Sequence, residues 1–258
     1  IFVNKQNLSD LEKLNVNGDT YNRNFGLEYN YFSTDNVWNG KVMYLKSFTP
    51  GVQSDDAVIA SNLTYNTPFI KGTIQAEYVG ENYNAAVGYI RRSQYFKLDG
   101  QISYLFFPET TSKILSHGPT LGNIQYYNLE GNSIDTATEI GYTLNFKNRS
   151  NMTLAYENQF IALQRAFDPI RTGIQSLEAG TKHRWNSLSL EYNSKPQSLF
   201  TFELKSSYGG YFQNGKRWLF FTQMGYRIQP YVELNSLVSY NHIELERPWG
   251  KNGFWLLG

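Results

Sequence analysis

Apolar and polar residues alternate with a period of two along most of this chain, the pattern of strands with one greasy and one hydrophilic face. Over 21 to 31, Tyr21, Phe25, Leu27, Tyr29 and Tyr31 hold one parity, and Asn22, Asn24, Gly26, Glu28 and Asn30 the other; only Arg23 breaks the pattern. Segment 69 to 79 sets Ile70, Ile74, Ala76 and Tyr78 against Lys71, Thr73, Gln75 and Glu77. In 96 to 106, Phe96, Leu98, Ile102, Tyr104 and Phe106 oppose Lys97, Asp99, Gln101 and Ser103. Ile140, Tyr142, Leu144 and Phe146 oppose Glu139, Gly141, Thr143 and Asn145. Phe200, Phe202, Leu204 and Tyr208 oppose Thr201, Glu203, Lys205 and Ser207. Val232, Leu234, Val238 and Tyr240 oppose Glu233, Asn235, Ser239 and Asn241. Weaker versions occupy 37 to 48, 57 to 66, 113 to 127, 152 to 161, 184 to 193 and 218 to 228. The pattern predicts about twelve strands with partial ones at each end.

Many of these runs hold about 10 to 12 residues, whereas soluble strands average about five or six and a bilayer-crossing strand needs about nine to eleven. Tight turns are predicted at Ser33 to Asn36, Asn66 to Pro68, Lys147 to Asn151, Asn193 to Gln197 and Gln229 to Pro230, from their Asn, Asp, Pro and Ser content. Longer connections are predicted between them, at Thr49 to Asp56, Gly80 to Gln94, Gln164 to Lys182, Gly209 to Arg217 and His242 to Asn252. Short on one side and long on the other is the outer-membrane barrel pattern.

Composition agrees. The 258 residues include 20 Tyr, 17 Phe and 5 Trp, so 16% are aromatic and only 17% charged. A soluble domain carries about 25% charged residues. Mean hydropathy is nevertheless negative, and no run approaches the roughly 18 apolar residues of a membrane helix. A barrel with one face in lipid and a polar lumen reconciles these facts, because only every second residue need be apolar. A soluble propeller or sandwich also alternates, but long strands, meander order and large aromatics on the apolar parity weigh against it. Trp38, Tyr208, Trp218, Tyr226 and Tyr231 near strand ends suit interfacial aromatic girdles, as they would ordinary cross-strand pairing. With 23 basic and 22 acidic side chains the net charge is +1, without the basic excess of a nucleic-acid protein. The absence of Cys excludes disulfides and thiolate metal sites. The chain opens on Ile1 and stops at Phe254 to Gly258, which read as the start of a strand; the expectation is a segment of a longer protein.

Three stretches carry a family resemblance: Gly80 to Gln94 (GENYNAAVGYIRRSQ), Asn145 to Pro169 (NFKNRSNMTLAYENQFIALQRAFDP) and Trp249 to Gly258 (WGKNGFWLLG), preceded by Pro248. They resemble the barrel region of a Bacteroidota family of unknown function, in which the barrel follows a domain related to carbohydrate-binding family nine. Ala85, Ala86 and Arg91 stand where the family's loop usually has Pro, an acidic residue and Pro. The resemblance implies an accessory N-terminal domain and closing strands outside this sequence, and it supplies no catalytic residues.

If the barrel is correct, the polar parity lines the lumen with Glu28, Lys41, Lys71, Glu77, Lys97, Asp99, Glu139, Glu157, Glu191, Glu203, Lys205, Arg227 and Glu233. Such charges either set the field of a selective channel or form cross-strand ion pairs that fill a polar interior. Facing lipid are Phe25, Leu27, Tyr29, Ile70, Ile74, Phe96, Ile102, Leu144, Phe202, Leu204 and Val238. His117, His183 and His242 are far apart in sequence, no G-x-S-x-G elbow occurs, and the reading contains no catalytic residue, metal or cofactor. Asp55, Asp56 and Asp168 lie in loops that could hold Ca²⁺, but without EF-hand spacing. Tyr83, Tyr89 and Tyr95 could stack on sugars or fold inward to brace the barrel mouth.

The expectation is an all-β, antiparallel, up-and-down transmembrane β-barrel segment over 1–258, in a bacterial outer membrane. It would be porin-like or transporter-like, with membrane lipid, protein partners of an outer-membrane assembly and glycan as partners, and no nucleic acid. A barrel hydrolase and a plugged structural barrel that docks its neighbours are the alternatives.

Overall fold

The computed structural model describes residues 2–6, 21–86, 88, 92–173, 175–228 and 230–258; Ile1, Tyr89, Arg91 and Gln229, named above, lie outside the described residues. Among the described residues every regular element is a strand. In chain order these are β1 (Phe2–Gln6), β2 (Tyr21–Phe32), β3 (Trp38–Phe48), β4 (Ala57–Asn66), β5 (Ile70–Val79), β6 (Tyr95–Tyr104) and β7 (Ile114–Tyr127). There follow β8 (Ser133–Phe146), β9 (Asn151–Ala162), β10 (Lys182–Asn193), β11 (Phe200–Gly210), β12 (Lys216–Ile228), β13 (Val232–Leu245) and β14 (Gly250–Leu257). They form one 14-stranded sheet in sequential order, with β1 and β14 as its two edges. The long predicted strands are long in the structure, 10 to 14 residues from β2 to β13.

Connections at one end of the strands are mostly tight, at 33–37, 67–69, 147–150, 194–199 and 229–231. The link 105–113 is the exception, and is partly zipped by Phe106 and His117, which exchange backbone hydrogen bonds of 2.7 and 3.0 Å. At the other end lie 49–56, 80–94, 128–132, 163–181, 211–215 and 246–249.

Two expected connections are shorter than predicted. Gly209 and Gly210 read as turn residues, but both belong to β11: a Cβ on Gly209 would stand 2.4 Å from Asn186 O and Ser187 Cα, so the missing side chain permits close strand approach. His242 to Leu245 read as a polar loop, yet β13 runs through them because Ile243 and Leu245 are buried on the face that is polar elsewhere in the strand.

The chain divides into two compact units. The first comprises Ile1–Thr67, Lys71–Gly100 and Ile124–Ser133. In it, Leu27 pairs with Tyr44, Tyr29 with Val42 and Leu63 with Ile74 on one face, while Asn62 pairs with Lys41 and Gln75 on the other. The apolar face is open: Phe25, Leu27, Tyr29 and Ile74 are all exposed. The buried residues lie on the polar face, where Val58, Val79 and Tyr95 pack with Leu45, Tyr83 and Tyr126 near connection 80–94. Asn22 Nδ2 donates to Thr49 Oγ1 (2.9 Å) and Asn84 O (3.0 Å), and its Oδ1 accepts from Ala86 N (3.2 Å). Asn84 N in turn donates to Ser47 Oγ (3.1 Å).

The second unit comprises Pro68–Ile70, Gln101–Asn123 and Ile134–Gly258. Residue rows cross its strands without interruption. On the apolar face one row runs Tyr142, Leu154, Leu190, Ser206, Phe220, Tyr240 and Trp255 from β8 to β14, and the next runs Leu144, Met152, Tyr192, Leu204, Thr222, Val238 and Leu257. Toward the long connections the same face changes character. The row Ile140, Tyr156, Leu188, Tyr208, Trp218 and His242 is followed on β12 to β14 by Lys216, Glu244 and Lys251. Beneath those charged residues the opposite face turns apolar: Leu163, Leu177 and Phe212 pack with Ile161, Trp185, Tyr211 and Trp249, and Ile170, Ile243 and Leu245 with Tyr211, Trp249 and Phe254. Connection 163–181 therefore folds back over the polar face, tied by Asn252 Nδ2 to Ile170 O at 2.9 Å.

Candidate functional site on the polar face

The charged residues singled out by parity fall on the face opposite the apolar rows. In the first unit, Lys41 Nζ meets Glu28 Oε2 at 2.6 Å and Lys97 Nζ meets Asp99 Oδ2 at 2.9 Å. Tyr95 donates its hydroxyl to Glu77. Lys41, Glu77 and Lys97 line one cavity of about 210 Å³ with Asn62 and Gln75, while Lys71 pairs in register with Asn66 at the tight-turn end. Phe96 and Ile102 stand on the parity of β6 opposite Lys97 and Asp99, and Ile70 shares the parity of Ile74 on β5.

The second unit carries the denser arrangement. Glu139 and Glu157 stand directly opposite each other, Glu191 is opposite Lys205, Glu203 is opposite Gln223, and Arg227 is opposite Glu233. The last pair is 3.6 Å apart. Glu157 Oε2 accepts from Gln159 Nε2 at 3.0 Å and Ser187 Oγ at 3.4 Å. Phe202, Leu204 and Val238 pair with Met224, Thr222 and again Thr222 on the other face.

Two cavities open on this polar face. One of about 440 Å³ is lined by Arg149, Asn193, Glu203, Gln223, Arg227 and Asn235 among others; a second of about 200 Å³ includes Glu157, Trp185, Lys205 and Arg217. Sequence reasoning missed Arg217, which sits between Gly209 and Ile243 and donates Nε to Asn241 Oδ1 at 2.9 Å. Carrying the parity of Arg227 back along β12 finds it.

The loop acids are occupied by the protein itself. Asp56 is buried and paired with Lys46 at 2.7 Å, and Asp55 Oδ1 accepts from Tyr78 at 3.3 Å. Asp168 accepts from Ile170 N (3.0 Å), Arg171 N (2.9 Å) and Gly173 N (2.7 Å). Partial burial raises its pKa, but backbone donors from Gly173, Ile170, Arg171 and Thr172 outweigh this, so the carboxyl titrates below its usual range. Burial pushes the Tyr211 and Tyr83 phenols up. Tyr95 is buried in the core of the first unit with Tyr83 packed against it.

Each His meets a hydroxyl: His117 Nδ1 lies 2.6 Å from Tyr142, His183 Nε2 2.9 Å from Thr181 and His242 Nδ1 3.4 Å from Tyr240. Among the described residues no group of three or more His, Cys, Asp or Glu could hold a metal ion.

Comparison with family models, with curated proteins and with solved structures finds no match for this chain.

Proposed function

We propose that this chain is a segment of a transmembrane β-barrel of a bacterial outer membrane, porin-like or transporter-like, with the polar face lining its lumen. One observation carries the reading: the apolar face is exposed from strand to strand. In water, each exposed Leu, Ile or Val forgoes about 1.5–3 kcal/mol of burial, and a contiguous apolar patch of this extent marks an interaction surface. Lipid supplies that environment without a partner protein. Strands of 10 to 14 residues, at about 3.3 Å per residue and tilted, are long enough for a hydrocarbon layer of about 30 Å. Tyr208 and Trp218 followed by Lys216, Glu244 and Lys251 match the order of an aromatic girdle and an aqueous exterior. Membership of the Bacteroidota family resembled above, and service in an outer-membrane assembly whose loops bind glycan or protein, belong to the same proposal. The test is insertion of the full-length protein into planar bilayers. Discrete conductance with size-dependent block by polymers supports the reading, whereas a protein monodisperse in detergent-free buffer and inert toward bilayers rejects it.

A plugged barrel is the second reading, favoured by the two connections, 80–94 and 163–181, that fold back over the polar face of their respective units. Replacing Phe212 with Ala, which removes a ring packed against Trp185 and Tyr211, would then raise conductance from near zero.

A further inference from the structure

The larger cavity of the second unit holds an unusual pair of charges. Arg149 caps the turn between β8 and β9 with a left-handed backbone (φ 70°), and its guanidinium has no hydrogen-bond or ion-pair partner among the described residues. Glu203, on β11 in the same cavity, likewise has a carboxylate with no side-chain partner among the described residues, and the two form no ion pair with each other. The remaining charges there are satisfied, since Arg227 meets Glu233 and donates to Pro196 O at 3.2 Å. The amides of Gln223 and Asn235 line the same cavity, and Gly225 lets Thr201 and Asn235 close up on the backbone there, since a Cβ would meet Thr201 Oγ1 at 2.9 Å and Asn235 Oδ1 at 3.0 Å. The volume of about 440 Å³ lies within the range of small-molecule sites, about 300–1,000 Å³.

We propose that this cavity binds a zwitterionic ligand of the size of a short peptide, its carboxylate on Arg149 and its ammonium on Glu203. Guanidinium and carboxylate are the natural partners of those two termini, and the amides of Gln223 and Asn235 match the donors and acceptors of a peptide group between them. A neutral sugar would leave both charges unpaired. A simple anion would pair with Arg149 alone and face the field of Glu203. The inference deepens the porin-like or transporter-like reading by naming a permeant class, but its test is a binding measurement that needs no conductance.

The probes are trialanine, N-acetyl-trialanine amide and maltotriose, titrated calorimetrically into the full-length protein in detergent. Trialanine is expected to bind, and the capped peptide to bind about tenfold or more weakly, since it lacks both charged termini and their charge-assisted hydrogen bonds. Arg149→Asn, which tolerates the left-handed turn, and Glu203→Gln should each weaken trialanine about tenfold and leave the capped peptide unchanged. Gly225→Val should weaken both peptides by displacing the Thr201 and Asn235 side chains that line the cavity, with the strand content of every variant verified by circular dichroism. Equal affinity for free and capped peptide, tighter binding of maltotriose, trialanine binding indifferent to all three substitutions, or no trialanine binding would each overturn the proposal. Loss of conductance with peptide binding intact would reject the pore and keep the site.

Discussion

Asn22 of β2 donates its Nδ2 to the carbonyl of Asn84 at 3.0 Å, across 62 residues of chain. Its Oδ1 accepts from Ala86 N as well, so one buried side chain ties connection 80–94 to the strand beneath it. The carboxamide supplies two N–H donors and a carbonyl acceptor from a single position, whereas a hydroxyl offers only one donor.

Asn22→Ala is therefore expected to free the backbone groups of Asn84 and Ala86 and to lower stability by about 1–3 kcal/mol. Hydrogen exchange of residues 80–86 should rise while β8 to β13 stay protected. Unchanged exchange in that segment would refute the clamp.

Leu154 is exposed on the apolar face and Thr153 is on the polar one. Leu154→Arg should impair folding into lipid vesicles by about 2–4 kcal/mol, and Thr153→Arg should be tolerated. If the face met water instead, Leu154→Arg would be nearly neutral, and urea titration in vesicles separates the cases.

Asp168 gives a pH dependence with a defined sign. Its carboxyl titrates below the ordinary range in the folded protein, so its contribution is present in full above the unfolded pKa of about 3.9. As pH falls toward the lower folded value, that contribution is lost. Proteolysis within 163–181 by an acid-active protease should accelerate over that window. In Asp168→Asn the loop should be looser at neutral pH and this acid dependence should disappear.

Glu139 and Glu157 oppose each other directly across β8 and β9. Like charges in that position destabilise, so Glu139→Gln should raise stability in chemical unfolding by about 0.2–1 kcal/mol. A loss of stability would mean that the pair is held by compensation from Lys205 and its surroundings.

Period-two patterning is legible because the strands keep two distinct faces over most of their length, and Leu27, Ile74 and Leu144 lie on the apolar face for that reason. Failures occurred where the rule changes locally. Ile243 and Leu245 carry apolar character on the opposite parity because connection 163–181 covers that face, and a folded-back loop leaves no mark on the alternation. Gly209 resembles a turn residue, although its small size serves strand packing. Asn22 looks like any other polar-face Asn until Asn84 and Ala86 are brought to it. Arg149 and Glu203 are brought together by register and a turn, and sequence distance gives no hint of their shared cavity.

The contrast between neighbouring rows also bears on how the sheet is assembled. Sliding β10 one position past β9 would exchange Leu190 for Glu191 beside Leu154, and the same displacement would move every other side chain of the strand to the wrong side. The two-faced pattern of the strand already in place thus disfavours every slipped register of the strand that pairs with it.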